Sequence, residues 1–468
     1  MSTQQPVAVI GAGPAGLGAA WRLAQRQKRQ VYVFERGAAI GGNAGSFCFH
    51  GMRVDYGSHR LHPSCDPEIL KDIETLLEGD LISRPRHGRI RLKNRWVHFP
   101  LKPLDLVGHV PPAFALGVMT DLLTKRFLRK SDENFATVLQ AGLGPTICSE
   151  FYFPYAKKIW GLPPQQLHSE QARRRVSASS VTKLMRKVLS TVPGVPKPPG
   201  AGKFFYPRKG FGQISEAYAA AARESGAKII PEATVTGLER DSGEWRINWN
   251  SPSGPGSLCC SAVFSTIPMP ALARLLAPPP EVTSAIRALR YRGMLLIYLL
   301  LETDQYTEFD AHYFPGGDIA LTRVSEPKHY GLAPLPGQTV LCAELPCQPG
   351  DPVWEASDAD LADLVINALG VAGLPRPERV ADVQVKRLGQ AYPIYTLDFF
   401  EHFETIDRFL GQIPGLLTFG RQGLFVHDNT HHALKMAYAA EECFVDGQFD
   451  RERWNDYRTQ FANNVVED

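Results

Sequence analysis

An aliphatic run, Val7-Ala8-Val9-Ile10, leads straight into Gly11-Ala12-Gly13-Pro14-Ala15-Gly16, and a second run, Val31-Tyr32-Val33-Phe34, ends on Glu35. The order is strand, glycine turn, helix, strand, acid, which opens a doubly wound α/β domain. Each part has a physical reason. Gly11 turns the chain tightly off the strand, Gly13 lets the backbone approach a pyrophosphate, and Gly16 lets the helix lie close on the sheet. Pro14 and Ala15 belong to the same turn, at a helix N-terminus whose free N–H groups attract an anion. Glu35 comes 19 residues after Gly16, where a carboxylate binds both hydroxyls of an adenosine ribose.

Arg36 follows, and Ala38-Ala39-Ile40 then leads to Gly41-Gly42-Asn43-Ala44-Gly45. A glycine pair so soon after the ribose acid resembles the FAD-binding signature of the glutathione-reductase-like flavoproteins, in the branch with amine oxidases, protoporphyrinogen oxidase and UDP-galactopyranose mutase. The resemblance implies FAD rather than NAD, with Gly41, Gly42 and Asn43 passing beside its diphosphate. It implies an α/β fold, a Rossmann-like FAD-binding domain interleaved with an α+β substrate domain.

The chain is long enough for at least two domains: 468 residues, 44% hydrophobic and 21% charged. A net charge of +3 is too small to imply a nucleic-acid partner. The eight cysteines (48, 65, 148, 259, 260, 342, 347 and 443) form no metal-ligand pattern and read as reduced thiols of a cytoplasmic protein. The apolar N-terminus lacks the basic lead and cleavage site of a targeting segment. Met294 to Leu301 suits a buried strand and is too short to span a bilayer. Peripheral membrane contact stays open. Phe114 to Leu128 reads as an apolar helix ending in Lys125, Arg126, Arg129 and Lys130, and a second basic stretch runs from Lys183 to Lys203. The favoured alternative is a helix covering the substrate domain with a solvated basic end.

Periodicity and turn signals divide the chain. Residues 1–65, 204–268 and 410–468 are assigned to the FAD-binding domain, residues 66–203 and 269–409 to the substrate domain. A helix is expected at Pro67 to Leu77, a hairpin around Lys93-Asn94-Arg95, and mostly helix from Leu104 to about Leu189. Val192 to Gly202 is expected to be a loop. Strands are expected at Lys228 to Ile230, Val235 to Arg240, Trp245 to Trp249, Ala262 to Ser265, Met294 to Leu301, Val340 to Leu345 and Leu416 to Thr418. A long helix should run from Thr430 to Cys443.

Six positions along the chain carry the chemistry that the resemblance implies. Gly57-Ser58-His59 resembles the mutase segment in which a histidine lies on the flavin ring, so Gly57, Ser58 and His59 are assigned to the cofactor, with His59 tuning it. Lys158-Ile159-Trp160-Gly161, with Arg174 fourteen residues beyond Trp160, resembles the tract whose tryptophan walls the substrate pocket and whose arginine binds a diphosphate. A core role for Trp160 is equally open. Thr322-Arg323 resembles the segment bearing a second diphosphate arginine, here Arg323, with Thr322 and Glu326 as orienting groups. Tyr392 lies in a Tyr-Pro-Ile tract that implies a phosphate contact, a plain buried strand tyrosine being the alternative. Val235 is placed against the adenine half of the cofactor, and Gly420-Arg421 against its ribityl and diphosphate. Where the mutases have a substrate-binding tyrosine, six residues after this arginine, the chain has His427. With Asp428, His431 and His432 it is expected to form a pocket rim with acid–base use rather than a metal site, His431 and His432 pointing different ways.

The expected protein is an FAD-dependent oxidoreductase acting through flavin N5 on an anionic substrate, phosphate- or diphosphate-bearing and sugar- or lipid-linked. Catalysis is assigned to His59, Arg174, Arg323 and His427, and substrate binding to Trp160, Tyr392, Arg174 and Arg323. NAD(P)H or another electron carrier is the expected partner. The alternative is a non-redox sugar mutase using reduced flavin as nucleophile.

Overall fold

The computed structural model describes residues 5–124, 133–176, 202–332 and 335–466. The first strand, Val7–Ile10, is buried throughout, as a central parallel strand covered on both faces must be. It pairs in parallel with Val31–Phe34 on one side and Ala262–Ser265 on the other. Leu416–Thr418 and Lys228–Ile230 add at the two edges, completing a five-stranded sheet. Strands far apart in sequence therefore build one sheet. The helix Pro14–Arg26 lies on it, packed against the helices Gln213–Glu224 and Thr430–Glu442.

A seven-stranded mixed sheet forms the other layer, in the order 380–394, 290–301, 339–347, 323–325, 311–313, 88–92, 95–99. Its strand Arg290–Leu301 explains why the aliphatic run is continuous. Leu295, Ile297, Leu299 and Leu301 pack on Leu361, Val365 and Leu369 of the helix Asp358–Val371. The alternate side chains Met294, Leu296, Tyr298 and Leu300 join the core of the dinucleotide-binding layer. Burial on both faces removes the polar alternation that a half-exposed strand would show. One face of the large sheet is thereby turned directly onto the Gly11–Glu35 layer.

Short helices at Phe135–Leu143, Phe153–Trp160 and Ser169–Arg175 form a further cluster around Leu139, Ile159, Trp160 and Ala172. Asn134 and Thr137 close the first of them with reciprocal side-chain-to-backbone bonds. The apolar helix beginning near Phe114 is described as Pro112–Thr124. Its expected basic end, most of the second basic stretch and nearly all of the Val192 to Gly202 loop lie outside the described residues. The strand Val380–Ile394 is fifteen residues long, although only its Tyr-Pro-Ile end reads as strand in the sequence. It is a partly exposed edge strand with mixed burial, so no clean alternation marks it.

Candidate functional site

Glu35 is fixed by backbone. Its Oε2 accepts the Ala12 N–H at 2.9 Å and its Oε1 the Gly37 N–H at 2.8 Å. Gly41 N–H donates to Ala12 O at 2.8 Å, which lays the second glycine turn on the first. A Cβ built on Gly42 would stand 3.5 Å from Gly13 Cα, while one on Gly13 would meet nothing within 4 Å. A free slot therefore lies over the start of helix Pro14–Arg26, where no side chain caps the helix. Such a terminus attracts phosphate. At the adenosine end, Ala233 N–H bonds Glu35 O, which brings half-buried Val235 near the acid, while Arg36 is exposed.

The short helix Gly420–Gly423 closes the slot from the other side. A Cβ on Gly420 would come within 2.9 Å of Ala15 Cβ. Arg421 Nη2 donates to Ala391 O at 2.7 Å, its Nε is buried without a hydrogen-bond partner, and burial lowers its pKa. An anion beside it would relieve that burial. The glycine turns, Glu35, the uncapped helix and Arg421 together fit an extended dinucleotide such as FAD.

The Gly57–His59 turn is tied to this layer through Asp55. Its buried carboxylate accepts from Ser46 Oγ and Tyr206 OH, each at 2.6 Å, and from Phe211 N–H at 2.8 Å. His59 Nε2 donates to Tyr56 O at 2.9 Å, and its ring stacks on Phe211. Burial lowers its pKa against the opposing pull of Asp55, so the ring is neutral near pH 7. Nδ1 is then left as the lone-pair nitrogen.

Arg323 reaches the same turn, though not through the partners expected. Glu326 is turned away, accepting from Tyr306 N–H, Thr307 N–H and Thr339 Oγ1. Glu344, directly across the strand pair, takes Arg323 Nε at 3.0 Å and Nη2 at 2.6 Å. Arg323 Nη2 also donates to Ser58 O at 3.2 Å, and Ser58 N–H donates to Glu344 Oε1 at 3.0 Å. Thr322 Oγ1 bonds Glu344 O instead of the guanidinium. Arg60 stands nearby, bonded to Asp310, Tyr313 and Tyr330, so this corner is rich in paired charge.

Arg174 belongs to a second cluster. Its Nε donates to Glu170 at 2.7 Å, while Nη1 is buried without a hydrogen-bond partner. Burial opposes its charge, but Tyr395, Glu170 and Asp428 more than offset this and raise its pKa. Trp160 is 3% exposed and packs edge-on against Tyr392 and His427, at 5.7 and 5.1 Å between centroids. It is a core residue of this wall. Two guanidiniums approach the Tyr392 ring, Arg175 at 5.4 Å and Arg421 at 5.2 Å from its centroid.

His427 departs from the expectation of a pocket rim. It is fully buried, ringed by Trp160, Tyr392 and Tyr395. Gln171 holds it: Gln171 Oε1 accepts Tyr395 N–H, so its amide nitrogen donates to His427 Nε2 at 3.0 Å. Burial first, then Arg175, Arg421 and Arg174, push its pKa well below the usual histidine value. It is a neutral packing histidine, poorly suited to acid–base work. His431 and His432 do not diverge as expected either: their ring centroids are 4.1 Å apart, and His432 pairs with Asp428 at 3.1 Å.

Arg175, Arg60, Asp55, Glu344 and Gln171 were not singled out by motif. Glu344 had a visible signal, a lone acid inside the apolar run Val340 to Leu345. Arg175 had none, because three consecutive arginines on a short helix give no clue to which one faces inward.

Residues 9–76 match a family model described as an NAD(P)-binding Rossmann-like domain. The chain is 24% identical to coproporphyrinogen III oxidase of Propionibacterium freudenreichii subsp. freudenreichii, covering 86% of this chain and 84% of that one. It is also 24% identical to the chloroplastic protoporphyrinogen oxidase 1 of Spinacia oleracea, over 90% of this chain and 79% of that one. Among solved structures, reduced UDP-galactopyranose mutase superposes with a TM-score of 0.82 at 18% identity, covering 99% and 98% of the two chains. Putrescine oxidase bound to putrescine does so at 0.63 and 14%, over 94% and 98%. The chain has the fold of the FAD-dependent oxidoreductases. An enzyme with FAD as its cofactor, expected from the glycine turns, agrees with that fold. Among the described residues no helix is long and apolar enough to cross a membrane.

Proposed function

We propose that the protein is an FAD-dependent oxidoreductase whose substrate carries phosphate, diphosphate or other anionic groups. One observation carries the reading. Arg174, Arg175 and Arg421 converge on the wall formed by Trp160, Tyr392 and His427. Glu170 pairs with Arg174 and Arg173, whereas no carboxylate among the described residues forms an ion pair with Arg175 or Arg421. Positive charge without a carboxylate partner among the described residues, beside the half-buried Tyr392, favours an anionic guest.

FAD supplies hydride acceptance and delivery at its ring. The chain's own residues do the rest. Arg421, beside the glycine turns, answers the cofactor, and Arg175 with the Tyr392 hydroxyl would donate to a phosphate or carboxylate oxygen of the substrate. Trp160 and His427 hold that tyrosine by packing. His59 offers the Nδ1 lone pair as a hydrogen-bond acceptor beside the cofactor, and Arg323 with Glu344 fixes the Gly57–His59 turn. The curated relatives at 24% identity are both oxidases by name, which favours redox chemistry over the mutase alternative. Eight unpaired cysteines favour a reducing, cytoplasmic setting.

The test is anaerobic and spectroscopic. The FAD-loaded protein is mixed with diphosphate-linked sugars, with lipid-linked diphosphates, and with coproporphyrinogen III as a polycarboxylate. Stoichiometric bleaching of the flavin by one of them supports the reading. The dithionite-reduced protein is then offered the same sugars, with NADPH as an alternative reductant. An isomerised product formed while the flavin stays reduced would overturn the redox reading in favour of a mutase.

A further inference from the structure

We infer that Lys158 is a positioning residue for His59, acting through the strand pair Ala311–Tyr313 and Arg323–Ser325. The inference rests on the proposed function only in taking His59 to lie beside the cofactor.

The residues on either side of His59 are both held by this strand pair. Arg323 Nη2 donates to Ser58 O at 3.2 Å. On the other side, Arg60 donates from Nη1 to Tyr313 OH and from Nη2 to Asp310 Oδ1, each at 3.2 Å. Tyr313 and Arg323 are register partners, with the guanidinium 5.7 Å from the tyrosine ring. The place of His59 therefore depends on how the two strands are set against one another. Their connection, residues 315–320, contains Gly316-Gly317, and glycine leaves a loop its widest choice of backbone conformations. Asp318 within it pairs with Arg91 of the strand Gly88–Leu92, which holds the middle of the loop but not its two ends.

Lys158 holds the ends. From the helix Phe153–Trp160 its Nζ donates to Phe314 O and to Leu321 O, the latter at 3.0 Å. One ammonium thus bridges the backbone of both strands, next to Tyr313 on one and two residues before Arg323 on the other. Burial lowers its pKa to about 8 against the pull of Asp318, and the two carbonyls compensate this partly desolvated charge. Its neighbour Lys157 is exposed. The helix end is itself fixed, because Arg292 Nη2 donates to Lys158 O at 3.5 Å and to Pro346 O at 3.1 Å. Helix residues two apart point to different sides, so Trp160 faces the aromatic wall while Lys158 faces the strands. A single helix end therefore serves both the wall and the turn that carries His59.

The test is amide hydrogen exchange on the full-length, FAD-loaded protein, measured beside its visible flavin spectrum. Four hydrogen-bonded amides report: Phe314 and Thr322 at the clamp, Gly57 and Ser58 at the turn. In Lys158→Met exchange at all four should rise about ten-fold or more. Lys158→Arg, which keeps the charge and the donors, should restore most of the protection. Strand Thr234–Asp241, in a separate sheet, should exchange as in the parent. Lys158→Gln, a shorter donor, takes the place of the methionine variant should that one fail to fold. The inference is overturned if Gly57 and Ser58 keep their parental exchange in Lys158→Met. It is also overturned if Thr234–Asp241 accelerates equally, since Lys158 would then serve stability alone. His59→Gln separates this inference from the reading it rests on. If the turn amides accelerate while the flavin band is parental in Lys158→Met and His59→Gln alike, Lys158 keeps its role and the place of His59 beside the cofactor falls.

Discussion

Arg323 and Glu344 stand opposite one another on adjacent antiparallel strands, and a single carboxylate oxygen receives both Nε and Nη2 of the guanidinium. The same oxygen accepts the Ser58 N–H. Arg323 is thus largely neutralised within the protein, and its task is to hold the turn that carries His59. Both side chains are nearly buried, at 14% and 7% exposure, so removing one partner strands the other charge. Glu344→Ala should destabilise the fold by about 3 kcal/mol, measured by denaturant unfolding. Arg323→Ala should slow flavin reduction more than it raises KM. A rise in KM with kcat unchanged would instead make Arg323 a direct substrate ligand.

Arg175 is the position where binding and stability separate. Its guanidinium covers Trp160 and Tyr392 at 5.6 and 5.4 Å, without a carboxylate partner among the described residues. Arg175→Ala should change stability by no more than about 1 kcal/mol, the scale of an exposed cation–π contact. KM for an anionic substrate should rise about ten-fold or more, with a shallower dependence on salt. Unchanged affinity and unchanged salt dependence would remove Arg175 from the substrate wall.

Stability should fall on acidification because several histidines are buried in the neutral form. His427 is pushed well below its usual value by burial and three arginines, and His312 is brought to about 3 by burial and Arg89. The unfolded chain takes up these protons below about pH 6.5 while the native protein does not. Their contribution is therefore complete above pH 6.5 and is lost progressively below it, at up to about 1.4 kcal/mol per pH unit for each histidine. His329, raised by its contact with Glu326, works in the opposite direction. His427→Gln should flatten the slope of melting temperature against pH between about 6.5 and 5. An unaltered slope would mean that this ring is not neutral in the native state.

The dinucleotide layer was legible because its constraints are local. A pyrophosphate turn needs glycine at fixed spacing, and a ribose acid needs a strand end, so adjacent residues declare both. The second domain was legible only in part. Met294 to Leu301 announced a strand by its aliphatic run, but Val380–Ile394 is an edge strand with mixed exposure and gave no period. The site was harder because its pairings are long-range. Glu344, rather than the sequence neighbour Glu326, meets Arg323 through strand register, which no single segment encodes. Arg175 went unmarked and His427 was misplaced for a related reason. Which side of a short helix or loop faces inward depends on what packs against it, here Gln171, Trp160 and Tyr395.

Two neighbouring glycines give opposite predictions, and together they test the cofactor slot. At Gly16 a Cβ would lie 1.9 Å from Gly11 O, so alanine must push the helix off the sheet. Gly16→Ala should cost about 1–3 kcal/mol and lower the yield of folded protein whether or not FAD is present. At Gly13 the backbone is extended, with φ −78° and ψ 178°, which any residue adopts, and a Cβ meets no protein atom within 4 Å. The protein alone has no reason to require glycine there; a close-lying pyrophosphate does. Gly13→Ala should therefore leave the apo-protein's stability within about 0.5 kcal/mol of the parent. The FAD retained through purification should drop sharply, read from the flavin absorbance per chain. If Gly13→Ala keeps its full complement of FAD, the phosphates do not pass over this turn.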